Sequence, residues 1–273
     1  MAREPHAVTE RLLEAAIAPL RRVIVAYSGG VDSAVVLAAA SRALGEDVLA
    51  VTASSSSVAL GEVESAASLA REIGVAHEII ETREFDDPRY RANAADRCYY
   101  CKTELYSALS LVASQRGYKA VLDGTNADDG KAALDLRPGQ AAARKFGVRS
   151  PLAALGIGKA EVRAIAARYG LRVADKPATP CLSSRVPHGT RIEIDDLRRI
   201  DLAERYLRAS GFSTVRVRHF GATARVEVPL EDIERMRDIK ERAGRAFAAV
   251  GYDNIDIDER GYRTGSLNEA STP

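Results

Sequence analysis

Apolar residues along the chain fall into two rhythms. Short apolar runs occur at 23–26 (VIVA) and 48–52, with further strand candidates at 77–81 and 120–123 (AVLD). Between them lie helix-length stretches: 34–44, rich in Ala, Leu and Val; 61–73, with Val63, Ala66, Ala67 and Ala70 on one face and Gly74 as its stop; 102–115, ending at Gly117; and 159–169, closed by Gly170. Strands alternating with helices of about 10–15 residues predict a parallel sheet covered on both faces. Up to residue 180 the pattern is therefore α/β, of the doubly wound kind.

The rhythm then changes. Pro177, Pro180 and Pro187 punctuate a loop-rich stretch. A helix over 195–210 follows, then alternating strands at 213–220 and 224–228 with Gly221 in the turn between them, a helix over 230–250 and a last strand at 254–258. The order α-β-β-α-β predicts a small α+β domain with antiparallel pairing. The expected boundaries are 1–180 and 181–273. The serine run 54–57 reads as a polar loop and the tail 264–273 as frayed. No internal repeat is present.

Composition narrows the classes. The 273 residues hold 46% hydrophobic residues, with 39 Lys+Arg against 38 Asp+Glu and a net charge of +1. Such a chain folds rather than staying disordered. Its balance counts against a protein built to grip nucleic acid, which carries a basic excess. No run of about 18 apolar residues spans a membrane. Residues 1–10 are polar with no apolar core, unlike a secretory signal, so the reducing cytoplasm is the expected compartment. Three cysteines, Cys98, Cys101 and Cys181, are too few for a disulfide scaffold. Buried inert thiols are their default reading.

The segment Ala26-Tyr27-Ser28-Gly29-Gly30-Val31-Asp32-Ser33 joins the first strand to the following helix. Gly29 and Gly30 let the backbone approach a ligand. Ser28 and Ser33 offer hydroxyls, and the helix start offers free N–H groups to a phosphate. Asp32 repels phosphate but suits a bridging Mg²⁺. A plain helix-capping turn would use similar residues. The full Ser-Gly-Gly-x-Asp-Ser is more specific, and it is no Walker A loop, because no Gly-Lys-Ser/Thr follows. This segment resembles the PP-loop ATP pyrophosphatases, of the adenine-nucleotide α-hydrolase-like fold. The resemblance implies cleavage of ATP between its α and β phosphates, with Ser28, Gly29, Gly30, Asp32 and Ser33 at the pyrophosphate end. A second segment, Asp123-Gly124-Thr125-Asn126-Ala127-Asp128-Asp129, lies at the carboxyl end of the fourth strand, where open α/β sheets bind ligands. Thr125 and Asn126 are its nucleotide-binding candidates.

Arg97-Cys98-Tyr99-Tyr100-Cys101-Lys102 places a Cys-x-x-Cys at a helix start, where Arg97, Lys102 and the helix terminus favour thiolates. Cys181 stands in Pro180-Cys181-Leu182-Ser183-Ser184-Arg185, in the loop between the two expected domains. The three thiols suit a zinc site completed by His188, a dithiol pair with Cys181 idle, a [4Fe–4S] cluster with one open iron, or a nucleophilic Cys181 that gives up its own sulfur. Arg216 and Arg218 alternate on one strand, so both share a face, with Val215, Val217 and His219 on the other. Side-by-side guanidiniums suit a phosphate; a solvated strand face is the bland alternative. Arg185 is another phosphate candidate, and Lys102 a cation for an adenylate or carboxylate. No histidine has metal spacing.

Taken together, AYSGGVDS, RCYYCK, LDGTNADD, PATPCLSSR and VRVRHFG resemble the LarE family, over about residues 10–260. The resemblance implies an ATP-dependent sulfur transferase that makes the nickel-pincer nucleotide cofactor of lactate racemase. Its implied substrate is a pyridinium biscarboxylic acid mononucleotide, whose carboxylates are adenylated and converted to thiocarboxylates. It implies a homo-oligomer, with Arg216 and Arg218 on the substrate phosphate. Some members sacrifice the sulfur of the cysteine matching Cys181. Others add Cys-x-x-C and resemble cluster-dependent thiolases, and this chain carries all three cysteines. A cluster-dependent tRNA thiolase, an amide-forming ligase of the same fold and a non-catalytic nucleotide sensor are the alternatives.

Overall fold

A computed structural model describes residues 5–129 and 138–263; the tail read as frayed lies outside them. The chain divides into two compact units, Met1–Ser55 with Gly61–Tyr90 and Asp96–Thr179, and Ser56–Leu60 with Arg91–Ala95 and Pro180–Pro273. The second thus takes two short segments from the stretch 1–180.

The first unit opens with α1 (Pro5–Ile17), a helix that the polar start of the sequence did not predict. It continues through β1 (Val23–Ala26), α2 (Val31–Leu44), β2 (Val48–Ser54), α3 (Glu62–Ile73) and β3 (Ala76–Glu81). After α4 (Pro88–Arg91) come α5 (Arg97–Arg116), β4 (Ala120–Leu122), α6 (Pro138–Lys145), α7 (Pro151–Ala154) and α8 (Lys159–Arg168). The strands form a parallel sheet in the order β3-β2-β1-β4. Both faces are covered, and the side-chain alternation shows it. Val23, Val25, Val48, Ala50 and Leu122 join a core with α1, α2, α3 and α8. Their neighbours Ile24, Leu49, Val51 and Val121 join a second core with α5 and α6. Strands buried on both faces read as continuous apolar runs, which is why β1, β2 and β4 were visible in the sequence. This is the expected α/β fold. Helix α5 begins five residues before the expected 102, so Cys98 and Cys101 lie inside its first turns. Helices α6 and α7 were not expected.

The second unit contains α9 (Ile194–Ala209), β5 (Arg216–Phe220), β6 (Thr223–Glu227), α10 (Ile233–Ala249) and β7 (Asn254–Ile257). The hairpin β5–β6 is antiparallel, turning at Gly221 with φ +61°. The expectation of antiparallel pairing fails at β7, which runs parallel to β6. The reason is the crossover: α10 carries the chain back along the sheet, and a strand reached through a helix re-enters parallel. The expected helix 230–250 starts with a separate 3-10 turn at Leu230–Asp232. Phe212, Val217, Val226, Met236, Phe247 and Tyr252 lie in the core under this sheet. No helix among the described residues is long and apolar enough to cross a membrane.

Candidate active site

The loop between β1 and α2 is built on a ring of hydroxyl contacts. Ser33 Oγ donates its one proton to the Gly30 carbonyl at 3.1 Å. It therefore accepts from the Ser28 N–H and the Ser28 hydroxyl, both at 3.2 Å. Gly29 sits at φ +72°, and a Cβ there would lie 2.8 Å from the Ala66 Cβ on α3. Glycine is thus required twice over, by conformation and by space. Gly30 caps α2 without a side-chain acceptor, leaving the first amides of the helix for a ligand.

The second loop meets the first. A Cβ on Gly124 would lie 2.6 Å from the Ser33 amide nitrogen, so the backbones touch here. Asn126, 4% exposed, donates from Nδ2 to Asp32 Oδ1 at 3.1 Å. Thr125 turns inward, donating from its amide and hydroxyl to Asp123 at 3.1 and 3.0 Å. Asp123 also receives the Tyr106 hydroxyl at 2.9 Å. Burial, with the neighbouring Asp123, pushes the Tyr106 phenol far up, so it stays protonated and donates. Lys102 lies with Nζ 5.6 Å from the centre of the Tyr106 ring. The helix with the Cys-x-x-Cys is thereby connected to the 123–129 loop.

One residue of this group was missed in the sequence. Lys159, first residue of α8, places Nζ 2.5 Å from Asp32 Oδ2. Its amide donates to Asp128 Oδ2 at 2.6 Å. The signal was available, since a lysine follows Gly158 at a helix start, but nothing local tied it to a loop 127 residues earlier. Asp32, expected to hold Mg²⁺, here has one oxygen on Lys159 and the other on Asn126. A single carboxylate beside a phosphate loop still suits Mg²⁺, which takes one or two carboxylates plus phosphate oxygens.

Cys98 is exposed, Cys101 is half-buried and Cys181 is exposed, and none of the three is in a disulfide. Cys98 and Cys101 belong to the first unit and Cys181 to the second. Among the described residues no three His, Cys, Asp or Glu side chains are gathered to hold a metal ion. The two thiols of the Cys-x-x-Cys lie three residues apart on α5.

In the second unit the basic residues are not where a solvated strand face would leave them. Arg216 and Arg218 are both 6% exposed, and Val217 and His219 behind them are buried too. Arg218 donates to Glu227 Oε2 at 2.7 Å and to the Ser184 carbonyl at 3.0 Å. Arg216 stacks 5.4 Å from the Tyr262 ring centre and donates to the Val215 carbonyl at 2.8 Å. Burial, aided by the Arg185 charge, lowers the Arg216 pKa, and Glu204 partly offsets this. Arg185, read as a phosphate candidate, is fully buried: it forks onto Glu204 and holds backbone carbonyls of its own loop.

A parallel sheet whose first strand ends in this phosphate loop, matched over residues 9–202 by the family model for asparagine synthase, makes the protein an ATP-using enzyme of the PP-loop class. An uncharacterized protein of Synechocystis is 44% identical over 255 residues, covering 93% of this chain and 94% of its own. The pyridinium-3,5-bisthiocarboxylic acid mononucleotide synthase of Lactiplantibacillus plantarum is 38% identical over 267 residues, covering 97% and 96%. An uncharacterized protein of Methanocaldococcus jannaschii is 27% identical, covering 89% and 92%. The chain belongs to the LarE family.

Proposed function

We propose that the protein is an ATP-dependent sulfur transferase acting on a pyridinium biscarboxylic acid mononucleotide, on the route to a nickel-pincer nucleotide cofactor. The observation that carries this reading is the meeting of the 28–33 loop, the 123–129 loop and Lys159 around Asp32, in a chain nearly coextensive with a synthase of the bisthiocarboxylic acid mononucleotide. ATP binds with its β and γ phosphates on the Ser28–Gly30 backbone and the α2 amides. Lys159 then exchanges Asp32 for phosphate oxygens, and Asp32 would hold a Mg²⁺ that supplies charge neutralisation at the phosphates. These groups neutralise charge on the departing pyrophosphate. A substrate carboxylate attacks the α-phosphorus, giving acyl-adenylate and pyrophosphate. Arg216 and Arg218 serve the substrate phosphate, and Lys102 the carboxylate or adenylate.

The Cys181 thiolate next attacks the acyl carbon, and AMP leaves with the carboxylate oxygen. The product is a thioester. Loss of the Cys181 Cα proton to solvent with cleavage of Cβ–Sγ leaves a thiocarboxylate and dehydroalanine at 181. In the alternative, Cys98, Cys101 and Cys181 would hold a [4Fe–4S] cluster, which would supply the sulfide in place of the Cys181 sulfur. We place the enzyme in the cytoplasm, as a homo-oligomer.

The test is a single-turnover assay with ATP, Mg²⁺ and the biscarboxylic acid mononucleotide, on protein purified without oxygen and analysed for iron and sulfide. Pyrophosphate, AMP and thiocarboxylate should form together. Loss of H₂S mass at Cys181 assigns the sulfur to that residue; an intact Cys181 with iron and sulfide bound assigns it to the cluster. Absence of pyrophosphate with this substrate sinks the reading.

A further inference from the structure

Cys181 is exposed, yet the backbone beneath it is held from inside the second unit. Arg185 and Glu204 side chains are both 0% exposed and form a two-pronged pair, Nε to Oε1 at 2.8 Å and Nη2 to Oε2 at 3.1 Å. The remaining prong of Arg185, Nη1, donates to the carbonyls of Pro180 at 2.6 Å and Cys181 at 3.1 Å, and to Ser184 Oγ at 3.0 Å. Glu204 Oε1 also accepts the Val217 amide at 3.1 Å, and Oε2 accepts Arg208 at 2.5 Å. Val217 is the residue between Arg216 and Arg218 on β5. One carboxylate therefore fixes two things: the loop that carries the thiol and the strand that carries the two guanidiniums. Arg218 closes the circuit by donating to the Ser184 carbonyl.

We propose that Glu204 and Arg185 are positioning residues for Cys181, setting the thiol at a fixed distance from Arg216 and Arg218. The inference rests on the sulfur-transfer reading and gives Arg185 a task other than touching substrate phosphate. A buried ion pair is a weak source of stability, because an apolar pair of similar volume often serves as well. An apolar pair could not hold two successive carbonyls. A planar fork can, and only a guanidinium offers five donors in that geometry. Nucleophilic attack needs this precision, since a misplacement of about 1 Å costs on the order of 10²-fold in rate. Burial pushes the Glu204 carboxyl up, but Arg185, Arg208 and Arg216 outweigh it and hold the group below the usual carboxylate range, so the anchor is charged at neutral pH.

The test uses the full chain with Glu204→Gln, which keeps an acceptor for Val217 but loses the charge and one Arg185 contact. At saturating substrate, thiocarboxylate formation should fall about 10²-fold, while pyrophosphate release falls no more than about threefold. Hydrogen exchange at the amides of Leu182 and Ser184 should rise. Those amides bond the Ser57 and Cys181 carbonyls. If Glu204→Gln fails to fold, Arg185→Lys replaces it, because a single ammonium keeps the charge but cannot hold the two carbonyls and fork onto both Glu204 oxygens at once, and the same split is expected. Equal loss of both steps with a lowered melting temperature would show a merely structural pair and overturn the proposal, as would unchanged rates. If the wild-type chain releases no pyrophosphate with the mononucleotide, the functional reading fails instead. Unchanged exchange at Leu182 and Ser184 in the variant would still refute the anchor.

Discussion

At the scale of single residues, charge is handled by pairing, and each pair answers a different question. Lys159 and Asp32 are partly exposed, with side-chain exposures of 35% and 23%. Such a pair is worth less than about 1 kcal/mol to the fold. Its place beside the phosphate loop is what the proposed catalysis draws on. Lys159→Met should lower pyrophosphate release by about 10²-fold while stability moves by less than about 1 kcal/mol. A normal rate in a stopped-flow pyrophosphate assay would remove Lys159 from the site. Arg218 and Glu227 behave otherwise, at 8% and 2% exposure. Arg218→Met removes the cation paired with a buried carboxylate and should cost about 3–5 kcal/mol in urea unfolding, most of it regained in the double variant with Glu227→Leu. Failure of the second change to restore stability would mean that Arg218 supports the fold through something other than this pair. The spacing of Arg216 and Arg218 was legible as a shared face. That the face is buried was not, because alternation reports which residues point together and says nothing of what covers them.

Elements are placed by backbone contact more than by side chains. Two loops that carry the phosphate chemistry touch at Gly124, where an added Cβ would meet the Ser33 backbone at 2.6 and 2.9 Å. Backbone cannot swing away as a side chain can. Gly124→Ala should therefore weaken ATP binding by tenfold or more (about 1.4 kcal/mol) in calorimetry; unchanged affinity would show that the loops separate freely. The sheet beside them is pinned by Thr52, which donates to the Tyr27 carbonyl at 2.8 Å. Having one proton, Thr52 must accept from His77 Nε2, also at 2.8 Å, so Nε2 carries hydrogen. Burial lowers the His77 pKa, with Glu78 opposing it. A lowered histidine pKa favours the neutral ring in the fold. That stabilisation is complete above its ordinary value of about 6.5 and is lost as pH falls through the lower folded-state value. The melting temperature should drop on acidification below about pH 6.5, and less steeply in His77→Gln. Equal slopes would acquit His77. The strand–turn–helix of the phosphate loop was readable because each part obeys local rules. The parallel entry of β7 was not, since it depends on where a neighbouring element lets the chain go.

For the molecule as a whole, the legible feature was balance. A net charge of +1 from 39 cations and 38 anions sets no field for a polyanion. Much of that charge is also neutralised locally, as Arg22 with Asp47, Arg116 with Glu78, Arg172 with Glu72 and Arg225 with Asp256. Cations so paired offer little to a phosphate backbone unless their partners let go. What the sequence could not supply is this pairing, because the partners lie tens of residues apart and meet only through the fold. The pairing separates two enzymes that share a PP-loop and three cysteines. A thiolase acting on tRNA must neutralise several phosphates, and its affinity falls with salt at a slope of about −0.7 to −0.9 per phosphate contacted. An enzyme for a mononucleotide engages one phosphate group, the role proposed above for Arg216 and Arg218. Fluorescence anisotropy with labelled tRNA, between 50 and 200 mM salt (about the range over which six or more contacts lose 10³-fold or more), should show weak binding and a shallow slope. Tight binding with a slope steeper than about −4 would require a basic track formed by freed cations, and would move the substrate from a mononucleotide to RNA.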